Sequence, residues 1–213
     1  LNLEKVLLGH VSRLRYITRC SGCFTVHKES VAEHSYYTTL YAMLIMQYLA
    51  FDETAMLTGL MKAVVHDTEE CRTGDIPRPF KYSNEAMRKH IEDAGRVASE
   101  QVLDEWFDGD REDTRWCELS YCWAYAKDDT PPGWVVGFSD YLSVLSYAAQ
   151  EILNGNRTLF QHMGGIETYH EHFEQSKLPF EGVQAERARG LVQQAGAIVR
   201  RLAGCRESAA EGS

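Results

Sequence analysis

Val65-His66-Asp67-Thr68-Glu69-Glu70 is the stretch on which the reading of this chain turns. An adjacent histidine and aspartate close an apolar run. On an uninterrupted helix, neighbouring side chains do not face one way, so the pair can serve one ion only if the helix ends or bends there. His34 lies upstream in Val31-Ala32-Glu33-His34-Ser35, and Asp140 downstream in Phe138-Ser139-Asp140-Tyr141-Leu142. Two imidazoles and two carboxylates can hold one divalent metal and leave coordination positions open, so His34, His66, Asp67 and Asp140 are the candidate ligands. Each has a plainer alternative: a local cap for His34, a satisfied core histidine for His66, a surface acid for Asp140. Asp140 stands in an otherwise apolar segment, however, and a buried carboxylate wants a partner.

Working outward from the doublet, the helical period dominates. Leu3, Val6, Leu7, His10, Val11, Leu14 and Ile17 form one stripe, which predicts a helix from Leu3 to about Thr18 with His10 in the core. Residues 19–29 lack a period and read as a loop. Ser30 and Glu33 make a capping box that opens a helix to about Ala50, with His34 in its first turn. Asp52 caps the helix that ends at His66. Thr73-Gly74-Asp75-Ile76-Pro77-Arg78-Pro79 is a loop, because a glycine and two prolines break any period. Ser83 is read as the cap of a helix to about Phe107, followed by a turn at 108–110 and a helix from about Asp113 to Lys127. Thr130, with Pro131 after it, opens a long helix to about Leu153 that carries Asp140. Two more helices are expected over 158–175 and 181–203, the second closed by Gly204. No strand pattern or repeat stands out. The expectation is an all-α bundle, one domain over residues 1–205 with a frayed tail over 206–213, its metal site in the core and its ligands on three helices.

Composition narrows the classes. At 213 residues, with 44% apolar and 25% charged side chains, the chain can bury a full core. The longest apolar stretch, Tyr41 to Met46, is far short of the ~20 residues of a transmembrane helix. A net charge of −9 repels polyanions, so a nucleic-acid polymer is not an expected partner, while a small phosphorylated molecule is. No leader segment is read at the start, and a cytoplasmic protein with reduced thiols is expected. Cys20-Ser21-Gly22-Cys23 with Cys117 and Cys122 could make a four-thiolate zinc site; the wider second spacing, inside an expected helix, argues against it.

Glu70 follows His66 by four residues and Asp67 by three, so a continuing helix turns it to the side of the doublet, where a carboxylate can position a water or take its proton. Glu69 is read as pointing away, a solvated charge. Asp75 sits in the Gly-Asp-Ile-Pro loop, as a functional residue or an Asx-turn former. Arg19 and Lys81 could meet a phosphate or complement a helix end. Arg13 and Arg15 are read as solvated. Trp123, Tyr125 and Trp134 are read as core or as the wall of a base pocket.

These stretches together resemble the HD-domain phosphohydrolases, and within them the bacterial 5'-deoxynucleotidase family. The resemblance rests on His10-Val-Ser-Arg-Leu-Arg15, Glu29-Ser-Val-Ala-Glu-His34-Ser35, His66-Asp67-Thr-Glu-Glu70, Thr73-Gly-Asp75-Ile-Pro-Arg-Pro-Phe-Lys81-Tyr82 and Asp140. It extends to phage enzymes that hydrolyse dATP. It implies metal ligation by His34, His66, Asp67 and Asp140; imidazole and carboxylate donors suit cobalt, manganese, zinc, magnesium, iron or nickel. Glu70 and Asp75 become the catalytic carboxylates, and Arg19 a phosphate or sugar contact. In the bacterial family a tryptophan follows that arginine and packs on the deoxyribose; here the position is Cys20, which becomes the candidate sugar contact, with Phe24 the nearest aromatic in sequence. The implied activity is metal-dependent dephosphorylation of 2'-deoxynucleotides, purine ones first, by a homo-oligomer. A deoxynucleoside triphosphohydrolase acting on dATP is the alternative within the class, and a non-catalytic nucleotide-binding helical module the alternative outside it.

Overall fold

The structure, a computed structural model, describes residues 1–156, 158 and 166–210, with side chains described up to 204 and Pro79 excepted. Its helices are α1 (Leu3–Leu8), a 3₁₀ turn (His10–Arg15), α2 (Val31–Tyr48), α3 (Glu53–Val65), α4 (Glu70–Thr73), α5 (Arg78–Lys81), α6 (Glu85–Trp106), α7 (Thr114–Ala124), α8 (Pro131–Leu153), α9 (Ile166–Gln175) and α10 (Gly182–Ala210). Among the described residues there is no strand, only one antiparallel bridge between Thr18 and Ser30. The fold is an all-α bundle.

Most starts were legible because side-chain caps write them. Ser30 accepts from Glu33 N while Glu33 accepts from Ser30 N, the reciprocal box that begins α2. Asp52 caps α3 and Thr130 caps α8. α6 departs by one residue: Asn84, not Ser83, accepts from Met87 N at 2.9 Å. The first predicted helix is two pieces. Gly9 is extended between them, and the Glu105 carboxylate, brought in by α6, accepts from His10 N at 3.4 Å. His10 is accordingly not a core residue; its ring is 40% exposed and lies 2.6 Å from Glu105. The proline loop contains the four-residue helix α5, begun at Pro77. Gly204 does not end α10, since one glycine in an exposed helix costs only about 1 kcal/mol. Part of the helix expected over 158–175 falls outside the described residues; of the tail expected from Arg206, residues 206–210 continue α10 and 211–213 fall outside the described residues.

The core lies where α2, α3 and α8 pack together and α9 and α10 close over them. Ala42, Met46, Ala63, Val135, Phe138, Tyr141, Ala148, Ala188 and Val192 form its centre. Trp134 is part of it, edge-on to Phe173 and Phe180. A second, smaller core of Leu14, Val31, Cys71 and Val102 seats the 3₁₀ turn and α4 against α6. Lys62, fully buried on α3, donates to Asp128 at 2.8 Å and so fixes the chain entering α8.

Candidate metal centre and active site

Helix α3 stops at Val65, and residues 66–69 form a turn before α4 starts at Glu70. This is the break the doublet requires. Thr68 stabilises it, donating from both N (3.1 Å) and Oγ1 (2.9 Å) to Val65 O. The His66 ring is held by Nδ1, which donates to Ala63 O at 2.8 Å. A carbonyl can only accept, so the proton is on Nδ1 and the Nε2 lone pair faces inward. His34, completely buried in the first turn of α2, lies 3.0 Å through Nδ1 from Ser143 Oγ. Ser143 and Asp140 are three residues apart on α8, so one face of that helix both orients His34 and opposes it.

Nε2 of His34, Nε2 of His66 and a carboxylate oxygen of Asp140 lie within 4.8 Å of one another. Both Nε2 atoms are buried without a hydrogen-bond partner. Two inward-facing imidazole nitrogens beside a carboxylate, orphaned in a protein interior, fit a divalent ion. His34, His66 and Asp140 are a metal-binding triad in the core. Asp67 adjoins it, with Oδ2 3.0 Å from His66 Nε2 and 3.4 Å from His34 Nε2. No cysteine joins a metal-type cluster among the described residues, and Cys117 is exposed while Cys122 is buried, which disposes of the four-thiolate alternative.

Burial alone would push the carboxyl groups of Asp67 and Asp140 up. For Asp67 the adjoining His66 and the Lys127 ammonium, with the His34 ring close by, outweigh it; for Asp140, Lys127 and His34 do. Both stay well below the usual carboxylate range. Glu70 goes the other way. Desolvation, with Asp67, Asp75 and Glu69 around it, pushes it up to about 10. Its Oε2 is buried without a partner.

A cleft of about 410 Å³ opens beside the triad and is lined by Arg19, Cys20, Asp67, Glu70, Asp75, Lys81 and Asp140 among others. All the candidate catalytic and substrate residues therefore come to one place. Arg19 is bonded to Glu29 at 3.2 Å. Burial alone would favour loss of its proton, but Glu29, with Asp140, Asp67 and Asp75 beyond, holds the guanidinium charged. Cys20 donates its N–H to Asp75 Oδ2 at 3.0 Å, from a left-handed backbone with φ of 53°. Burial pushes its thiol up to about 11. Phe24, the nearest aromatic in sequence, is 71% exposed and does not line the cleft; Tyr82 and Tyr169 do.

Several residues of the site carry no sequence signal. Lys127 donates to Asp140 Oδ2 at 2.7 Å, and Tyr169 donates to the same oxygen at 3.0 Å. Lys127 reads as part of a solvated charge run, and Tyr169 as one more aromatic on a helix. Glu69 is a correction. It is not a solvated charge but accepts from Trp123 Nε1 at 2.6 Å and lines a neighbouring cleft of about 520 Å³. Burial, then Asp67, pushes its carboxyl up to about 7. Trp123 is thus a cleft wall, whereas Tyr125 is exposed.

The sequence profile of the YfbR-like 5'-deoxynucleotidases matches residues 6–180. The chain belongs to the YfbR-like 5'-deoxynucleotidase family. A 5'-deoxynucleotidase of Shewanella oneidensis is 32% identical over 114 residues, covering 51% of this chain and 57% of that protein. One from Escherichia coli is 30% identical over 103 residues, covering 45% and 50%. The chain spans about half the length of the curated relatives it matches. The bundle is shared more widely. An HD-domain phosphohydrolase of Listeria innocua superposes with a TM-score of 0.60 at 21% identity, over 91% of this chain and 99% of the other. The cyanophage S-2L HD phosphohydrolase, solved with dA and one catalytic zinc ion, gives a TM-score of 0.57 at 16% identity, over 90% and 95%. In this YfbR-like chain the triad, Asp67, Glu70, Asp75 and Arg19 all lie within the matched span.

Proposed function

We propose that the protein is a metal-dependent phosphohydrolase that dephosphorylates 2'-deoxynucleotides, purine ones first, to the deoxynucleoside. The observation that carries this is the pair of unpartnered, buried imidazole nitrogens beside Asp140, which itself lines a cleft together with Glu70. Asp67 is the fourth ligand in this reading, supported by its two short approaches to the histidines. A divalent ion in that site supplies positive charge that lowers the pKa of a nearby water and of Glu70 and offsets charge on the phosphoryl oxygens.

The chain's own residues do the rest. Glu70 orients the attacking water and takes its proton. The water oxygen bonds to phosphorus, the bond to the 5'-oxygen breaks, and the proton taken by Glu70 passes to that oxygen as it leaves. Asp75, held by the Cys20 N–H, helps position that water. Arg19 and Lys81 hold the phosphoryl oxygens. Cys20 stands where the sugar approaches.

The reading includes one domain over residues 1–205, a cytoplasmic location and a homo-oligomer. No described helix is long and apolar enough to cross a membrane. Tyr36, Leu44 and Tyr48 expose an apolar strip on the outer face of α2, which supports assembly. Light scattering at 24 kDa across concentrations would reject the oligomer. Phosphate release from a panel of deoxynucleotides, with and without manganese or cobalt, tests the activity. Release only with metal is expected; release from none would leave a nucleotide-binding module.

A further inference from the structure

The cations lining the metal cleft are Arg19, Arg78, Lys81 and Lys127. Two are committed. Arg19 is paired with Glu29, and Lys127 with Asp140. Arg78 has no carboxylate partner among the described residues. Its guanidinium carbon lies 4.0 Å from the centre of the Tyr169 ring and 4.8 Å from that of Tyr82. Stacking of this kind fixes the plane of a guanidinium and leaves its N–H edge open to a ligand. The Tyr169 hydroxyl is in turn 3.0 Å from Asp140 Oδ2, so the stack is anchored one side chain away from the triad.

Charge is unevenly distributed along this cleft. Asp67, Glu70, Asp75 and Asp140 crowd its deep end. Arg78 and Lys81 stand three residues apart on α5, and a second cleft of about 720 Å³, sharing Arg78, Tyr82, Lys127 and Tyr169 with the first, runs on past Asp129 and Asp128, the latter paired with Lys62, to Lys177. A single phosphoryl group at the triad would be served by Arg19 and Lys81. A longer anion has to place its further charge outside the carboxylates, and the unpartnered guanidinium is what it meets there.

We propose that Arg78 receives a second phosphoryl group, making it the residue by which this site takes deoxynucleoside di- and triphosphates as well as monophosphates. The inference rests on the phosphohydrolase reading and extends it in substrate class; the hydrolytic step is unchanged. Arg78 is a specificity-determining residue and not a catalytic one.

The test compares kcat/KM for dATP and dAMP in the manganese-loaded wild type, Arg78→Ala and Arg78→Lys. The dATP-to-dAMP ratio should fall about tenfold or more in Arg78→Ala, through KM, because one charge-assisted contact is lost, and should partly recover in Arg78→Lys. An unchanged ratio would overturn the proposal. That includes the case in which both substrates slow together, since Arg78 would then only steady Tyr169. Hydrolysis of dAMP with none of dATP by the wild type would overturn it too. If the wild type hydrolyses neither, the activity itself fails and calorimetry decides the subsite. Metal-free wild type should bind inorganic tripolyphosphate about tenfold more tightly than Arg78→Ala does, and equal affinity would reject the subsite.

Discussion

Asp140 Oδ1 stands 3.0 Å from His34 Nε2, joining α8 to α2 across the metal site, while its other oxygen is taken by Lys127 and Tyr169. One carboxylate thus faces the ion site with one oxygen and is locked by the other. Outer partners of this kind set ligand orientation as strongly as the ligands themselves. Asp140→Ala should therefore retain little or no metal after dialysis. Tyr169→Phe should keep it with an affinity lower by about tenfold or more. Elemental analysis and competition with a chelator read both. Full metal occupancy in Asp140→Ala would place the ion elsewhere.

Exhaustive chelation should abolish hydrolysis, and manganese or cobalt should restore it. Glu70→Gln should bind metal as the wild type does yet turn over about 100-fold more slowly or worse, because it keeps the shape of the side chain and loses the proton acceptor. Near wild-type turnover in Glu70→Gln would reduce Glu70 to a bystander.

The pH dependence of the metal-free protein has a definite sign. Glu70 is pushed up to about 10, so its folded form binds a proton that the unfolded chain releases near the ordinary glutamate value. Stability contributed by that proton is present at low pH and is lost as pH rises between the two values, at ~1.4 kcal/mol per pH unit for one group. Thermal melting of the chelated protein from pH 5 to 9 should show falling stability, with a shallower fall in Glu70→Gln. A parallel pair of curves would mean that the Glu70 carboxyl is not protonated in the fold.

Glu151 is fully buried and accepts from Val26 N, His27 N and Asn156 Nδ2, each at 2.7 Å. It ties the Cys20 loop to the end of α8. Glu151→Ala leaves those donors unsatisfied and should cost about 3 kcal/mol of stability. Denaturant unfolding measures this. A loss under 1 kcal/mol would show that water replaces the carboxylate.

Sugar discrimination should survive the absence of a tryptophan after Arg19. Tyr169 and Tyr82 line the same cleft and offer flat walls that Cys20 does not. A value of kcat/KM for dAMP above that for AMP by about tenfold or more is expected. Equal values would make the protein a general 5'-nucleotidase.

The triad of His34, His66 and Asp140 was readable from the sequence because its local context is chemical. A His-Asp doublet at the end of an apolar run and a carboxylate inside an apolar helix both call for a partner when buried, and the capping box places His34 in the first turn of its helix. Caps placed most helix starts, since the Ser30, Asp52 and Thr130 side chains bond to backbone three residues away. The tertiary structure alone decided what stands behind and around those ligands. Lys127 and Tyr169 reach one oxygen of Asp140 from 13 and 29 residues away. Glu69 meets Trp123 from 54 residues away, and Glu105 breaks the first helix from 95 residues away. Such partners have no spacing rule. They are set by how whole helices pack, and packing depends on the sum of many weak contacts over the entire chain, so no window of neighbouring residues contains it.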